Sequence, residues 1–184
     1  MKVLASIALV SAALVFPAAH AADAVMVGGQ SMLPSKTIVD NAVNSADHTT
    51  LVAAVKAAGL VETLQGKGPF TVFAPTNAAF NKLPAGTVDT LVKPESKATL
   101  TKILTYHVVP GKLDFDTLAA RIKKGGKNMT ELKTVSGGKL VVMMNGKHNL
   151  TVKDEKGGVA TISTYDVYQS NGVINVIDSV LMPN

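Results

Sequence analysis

Cysteine and tryptophan are both absent from the 184 residues, and aromatic residues make up only 4%. Without a thiol the chain has no cysteine nucleophile, no disulfide exchange, no iron–sulfur cluster and no cysteine-ligated zinc. It is not a disulfide scaffold either, so its stability has to come from its core. The scarcity of aromatic rings argues against a stacking platform for bases or for sugars. Charged residues are also few, at 17%, and the formal net charge of +5 is spread along the chain. Nucleic acid is therefore not an expected partner. Neither a disordered acidic chain nor a collagen fits this composition. The length suits one domain, which can bury most of the surface that its unfolded form exposes.

What the chain has in quantity is apolar residues, 47% of the total. Part of that share sits in one segment. Lys2 gives a positive start, Val3 to Phe16 run without a charge, Pro17 breaks the run, and Ala19-His20-Ala21 places small residues where a signal peptidase reads. These features predict a secretory signal peptide over residues 1–21, cleaved after Ala21. The run is too short for a span, which needs about 20 apolar residues. A lipid anchor would need a cysteine at the cleavage site. The expected product is soluble, secreted or periplasmic, and not stably inserted in a membrane. Asn128-Met129-Thr130 and Asn149-Leu150-Thr151 match the glycosylation acceptor pattern, which matters only in a eukaryotic secretory route.

Residues 22–36 are rich in glycine, serine and methionine without periodicity, and read as an arm. Residues 37–184 read as a single domain. Helical spacing is expected over Thr37–Asn44, after a Thr49 or Thr50 cap as far as Gly59, over Leu60–Leu64, from a Thr76 or Asn77 cap to Leu83, and from Thr87 to Val92. Pro94 opens what reads as the longest helix, to about Tyr106. Asp116 is expected to cap a small helix that Gly125-Gly126 closes. Phe70–Ala74 alternates as a buried strand, and His107–Val109 is a short extended piece. From Met129 the period becomes alternating, with strands expected over Thr130–Val135, Lys139–Met144, His148–Lys153, Val159–Thr164, Asp166–Gln169 and Val173–Val180. Asn145-Gly146 and Asn171-Gly172 read as two-residue hairpin turns. Helices first and strands later indicate an α+β domain.

Three segments carry a resemblance to the fasciclin domain family. Thr71-Val72-Phe73-Ala74-Pro75-Thr76-Asn77-Ala78-Ala79-Phe80 is similar to its first signature. Tyr106-His107, followed by Val108-Val109-Pro110-Gly111, is similar to its central Tyr-His motif. Asn171-Gly172-Val173-Ile174-Asn175-Val176-Ile177-Asp178, with Ser179 to Pro183 after it, is similar to its second signature. Many family members carry histidine where this chain has Asn175. The resemblance implies a β-wedge of antiparallel and mixed strands with a cluster of helices, mainly from the N-terminal half. It implies an adhesion or interaction module that binds a cell-surface or matrix protein, without catalysis and without a cofactor. It also implies contact residues: Tyr106 and His107 with Leu104, Val108 and Val109, and the pair Asp166-Val167.

Each of these residues has a plainer reading. Tyr106-His107 lies between a helix stripe and a strand, where a hydrogen-bonded buried pair would fix the junction. Asp166, near a hairpin, reads as a solvated strand-end charge. Arg121, Lys123, Lys124 and Lys127 could meet an anionic polysaccharide or simply offset a helix dipole. The Met26/Met32 arm, or an apolar cleft, raises the alternative of a periplasmic ligand- or metal-carrying protein, whereas the adjacent Met143-Met144 would point to opposite faces of a strand and read as core plus surface. No Gly-x-Ser-x-Gly elbow, His-Glu-x-x-His helix, calcium loop or phosphate loop is present. No enzyme is expected, and a monomer or weak oligomer is.

Overall fold

The structure, a computed structural model, describes residues 24–146 and 148–184; the expected signal peptide lies outside the described residues. The chain opens with a hairpin, β1 (Val25–Val27) and β2 (Gln30–Met32), whose register sets Val25 opposite Met32. The segment expected to be an aperiodic arm thus contains two strands, each too short to show a period. Val27 and Met32 are buried in the core, while Met26 is 62% exposed. Met26 pairs with Ser31 and Met32 with Val25, so the two methionines belong to opposite faces and cannot share a metal ion.

Three short helices follow. Thr37 opens α1 (Ile38–Ala42) with a capping box, its hydroxyl accepting the Asp40 N–H while the Asp40 carboxylate accepts the Thr37 N–H. A 3-10 turn at Ala46–His48 leads into α2 (Thr49–Ala58), which Gly59 ends at φ 72°. After α3 (Val61–Gln65) comes β3 (Phe70–Pro75), then α4 (Asn77–Asn81) and α5 (Thr87–Leu91). Pro94–Ser96 is a separate 3-10 turn before α6 (Lys97–Tyr106), so α7 (Phe115–Gly125) is one residue longer than the helix expected to be longest. The α7 cap is Asp114, which accepts the Thr117 N–H, and not Asp116.

The strands β4 (Val108–Pro110), β5 (Met129–Lys133), β6 (Lys139–Asn145), β7 (Asn149–Lys153), β8 (Val159–Gln169) and β9 (Gly172–Ile177) join β3 in one sheet of order β4-β3-β9-β8-β7-β6-β5. Only β3 and β9 pair in parallel. The sheet curls until its ends approach, with Val135 N–H donating to the Val108 carbonyl. The architecture is the α+β arrangement expected, a mixed β-wedge with most helices before it.

Two turns differ from expectation. Gln169 pairs with Gly172, so the last hairpin turns on Ser170-Asn171, and Gly172 begins β9. It must be glycine, since a Cβ there would stand 2.1 Å from the Phe70 carbonyl oxygen. Asn145 pairs with Asn149, so three residues connect β6 and β7 and not two. The two strands expected around Tyr165 are one strand, β8, whose register slips twice against β9 between Ile162 and Val167. Asp166 takes φ 55° within that bulged stretch.

Two buried clusters result. The first lies between the early helices and β3, β9 and β8, and includes Val72, Leu104, Val108, Val167 and Ile174. The second fills the curled sheet beneath α7, with Phe73, Tyr106, Val109, Leu118 and Leu140. Each fully buried side chain of this kind contributes about 1.5–3 kcal/mol.

Candidate functional site

The junction from α6 to β4 stitches the two clusters together. Leu100, Ile103 and Leu104 form the buried stripe of α6, which ends at Tyr106. His107 follows in helical conformation, and β4 begins at once. Leu104 and Val108 turn into the first cluster, Tyr106 and Val109 into the second.

Hydrogen bonds fix both members of the pair. The His107 ring bonds the Ile103 carbonyl through Nδ1 at 2.8 Å. Its Nε2 accepts the Leu181 N–H at 3.0 Å. An amide N–H only donates, so Nε2 is bare and Nδ1 carries the proton. Burial holds the imidazole neutral by pushing its pKa down to about 4, against the pull of the Ile103 carbonyl and Asp154. The Tyr106 hydroxyl donates to the Lys139 carbonyl at 2.6 Å and accepts the Glu155 N–H at 3.0 Å. Burial pushes its pKa up to about 12. Gly138 lies against the ring, where a Cβ would come within 2.7 Å.

Asp166 and Val167 have separate roles. Val167 is 1% exposed. The Asp166 carboxylate accepts the Phe115 N–H at 2.7 Å at the start of α7, and its own N–H donates to Asn175 Oδ1 at 3.2 Å. Burial raises the Asp166 carboxyl above its usual range, and Asp114 and Asp116 add to the rise. It is therefore more than a solvated strand-end charge. Asn175, wholly buried, links the bulge to the loop before α7 through the Leu113 carbonyl.

The six residues Leu104, Tyr106, His107, Val108, Val109 and Val167 are thus interior. As folded, they offer no side chain for a partner to grip, which corrects the direct-contact expectation. Close packing against two clusters is the reason. The structure does bring four of them together. Leu104, His107, Val108 and Val167 share the wall of one cavity of about 220 Å3 with residues of α1, α2, α3 and the first hairpin.

Sequence reasoning missed the long-range roles of several residues that the fold uses. Asn77 accepts the Thr50 N–H at 3.0 Å and donates to the Ala46 carbonyl at 2.8 Å, so it caps α2 from a neighbouring helix. Asn171 accepts the Ile38 N–H and donates to the carbonyls of Leu64 and Gly66, tying α1 and α3 to the last hairpin. His48 lies buried in the cavity wall. Only a partner distant in sequence distinguishes these roles, and local pattern carries no sign of it.

Among the described residues, no group of three or more His, Asp or Glu side chains is placed to hold a metal ion. Among them too, no helix is long and apolar enough to cross a membrane.

Comparison with known proteins follows the same lines. The family model for the fasciclin domain matches residues 46–183. Protein sll1483 of Synechocystis sp. is 51% identical over 149 residues, covering 80% of this chain and 73% of its own. Immunogenic protein MPB70 of Mycobacterium bovis is 36% identical over 173 residues, covering 91% and 78% respectively. A solved FAS1 domain pair from the insect cell adhesion molecule fasciclin I superposes with a TM-score of 0.58 at 22% identity, over 72% of this chain and 43% of that one.

Proposed function

The chain belongs to the fasciclin domain family, and from that premise we propose that it is an exported, non-catalytic interaction module that binds a cell-surface or matrix partner. The observation that carries the reading is the wiring of Tyr106. Its buried hydroxyl holds the backbone of Lys139 and Glu155, whose side chains are exposed. Val135, in the turn between β5 and β6, is 46% exposed and donates its N–H to the Val108 carbonyl. The Tyr-His motif then acts from beneath, as the support of an exposed patch made of Val135, Lys139 and Glu155. A surface that combines one exposed aliphatic residue with both charge signs suits a protein partner better than a lipid one. The exposed cations Arg121, Lys123 and Lys124 near the end of α7, with Lys127 just after it, supply an attraction for acidic polysaccharide at the same surfaces. Export rests on the signal-like features of residues 1–21, and the non-catalytic reading on membership of the fasciclin domain family.

The test is retention of the purified protein on intact cells of its host and of neighbouring species. Val135→Asp and Glu155→Lys should fold with unchanged circular dichroism and lose most of the retention. If retention falls only in variants that have unfolded, the patch is not the contact surface.

A further inference from the structure

The cavity behind α1, α2 and α3 carries one buried polar side-chain atom without a hydrogen-bond partner among the described residues. Its walls are mostly apolar, with Val55, Val72 and Ile174 representative. Asp40, Val43, Lys56 and Gln65 stand where it meets solvent, and Gln65 Nε2 donates to Asp40 Oδ1 between α3 and α1 at 3.4 Å. His48, 4% exposed, lines it. Its Nδ1 is paired with Ser45 Oγ at 2.9 Å, and among the described residues its Nε2 has no hydrogen-bond partner. The Ala74 carbonyl lies near enough to the ring to favour its charged form, yet it does not complete a hydrogen bond to Nε2.

A buried polar nitrogen left unpaired costs about 1–3 kcal/mol. His107 shows that this fold can pair both nitrogens of a buried ring, so His48 is an exception inside the same molecule. The volume of about 220 Å3 also has a physical meaning. An apolar protein cavity of roughly 150 Å3 is known to take benzene. This one has room for a ring with one or two small substituents.

The pairing with Ser45 leaves two tautomers open. If Ser45 donates to Nδ1, Nε2 carries a proton and seeks an acceptor. If Nδ1 donates to Ser45, Nε2 is bare and seeks a donor. A hydroxyl serves both cases, because it donates and accepts. We propose that this cavity is a binding site for a small, mainly apolar molecule bearing one hydroxyl, such as an alkylphenol, whose hydroxyl pairs with His48 Nε2. The proposal goes beyond the interaction-module reading, and the site is built from residues that the Val135–Glu155 patch does not include. It also gives Leu104, His107, Val108 and Val167 a shared task as its back wall.

The test compares 4-methylphenol with toluene, which fills the same space without the hydroxyl. A plain apolar cavity prefers toluene, since burying an unpaired hydroxyl is unfavourable. Titrations of the purified wild-type protein are followed by methyl resonances and by the imidazole nitrogen resonances. The expected result is saturable 4-methylphenol binding, about tenfold tighter than toluene, with shifts at Val55, Ile174 and His48 Nε2. His48→Leu should keep toluene binding and erase the preference. The wild-type comparison stands even if that variant fails to fold. Absence of saturable binding by 4-methylphenol, equal or tighter binding of toluene, or an unmoved His48 nitrogen would each overturn the proposal. None of these outcomes bears on retention at cell surfaces.

Discussion

His107 Nε2 accepts the backbone N–H of Leu181 at 3.0 Å, across 74 positions of sequence. That bond fastens the C-terminal segment to the end of α6, and it exists only while the ring is bare at Nε2. Protonation removes the acceptor and places a charge in a buried site. The native pKa is about 4, below the ordinary 6.5. Above pH 6.5 both folded and unfolded rings are neutral. Between about 6.5 and 4 the unfolded chain binds the proton and the native state does not, so stability falls as pH falls. The slope is about 1.4 kcal/mol per pH unit, or roughly 3 kcal/mol across the window. Urea unfolding from about pH 8 to about pH 4 should show this loss. His107→Gln should begin less stable and fall less steeply; His48, whose pKa burial also lowers, leaves some slope behind. Equal slopes in both proteins would sink the assignment.

Tyr106→Phe tests the junction without opening a cavity. It strips the donor from the Lys139 carbonyl and the acceptor from the Glu155 N–H. Both backbone groups lie near solvent and can recruit water, so the expected loss is about 1–2 kcal/mol with an unchanged urea m-value. Because the ring stays in place, the variant should remain folded yet hold the Lys139–Glu155 patch less firmly. Weaker cell retention with a native fold is the expected companion result.

Gly172 and Gly125 make a matched pair of opposite sign. A methyl at Gly172 would meet the Phe70 carbonyl oxygen at 2.1 Å, and that atom is backbone in the parallel β3–β9 pair. Gly172→Ala should separate the pair, lowering stability by about 3 kcal/mol or more, or prevent folding. Gly125 is the last residue of α7, and a methyl added there would meet nothing within 4 Å. Gly125→Ala should be neutral or raise stability by up to about 1 kcal/mol. Thermal unfolding of the two variants side by side checks both signs.

Asn77→Ala should destabilise α2, not the helix that carries it. The lost acceptor is that of the Thr50 N–H, and the Ala46 carbonyl loses its donor. The expected cost is about 1–2 kcal/mol. Amide exchange should quicken at Thr50 and its neighbours while Ala79 stays protected, because Thr76 caps α4 through that amide. The reverse pattern would show that Asn77 serves its own helix.

How much of this could be read from residues alone varies by element. Alternation in Lys139–Met144 and the stripe of Leu100, Ile103 and Leu104 place β6 and α6 because period and burial agree there. The hairpin of Val25–Met32 escapes, since three-residue strands show no period. The Asn171-Gly172 turn is misplaced by one residue: Gly172 is needed for a close approach by Phe70, not for a left-handed turn. Tyr106-His107 marks the right place in the chain, but the motif is silent about which side faces solvent. His48 is invisible as a candidate because its cavity is assembled from segments up to Ile174.

Asp166 separates a positioning carboxylate from a docking charge. It sits at φ 55°, a region that asparagine also tolerates, and it bonds Phe115 N–H through one oxygen. Burial raises its pKa, with Asp114 and Asp116 reinforcing the rise. The sign follows: a carboxyl whose native pKa is raised opposes folding once pH rises above its unfolded value near 3.8. Asp166→Asn keeps the acceptor for Phe115 and removes the charge. The variant should therefore match or exceed the wild type at about pH 7, and any gain should shrink as pH falls toward 3.8. Retention on cells should be unchanged if the residue only positions α7 and the β8 bulge. A folded Asp166→Asn protein that no longer binds would instead make this carboxylate part of the contact surface.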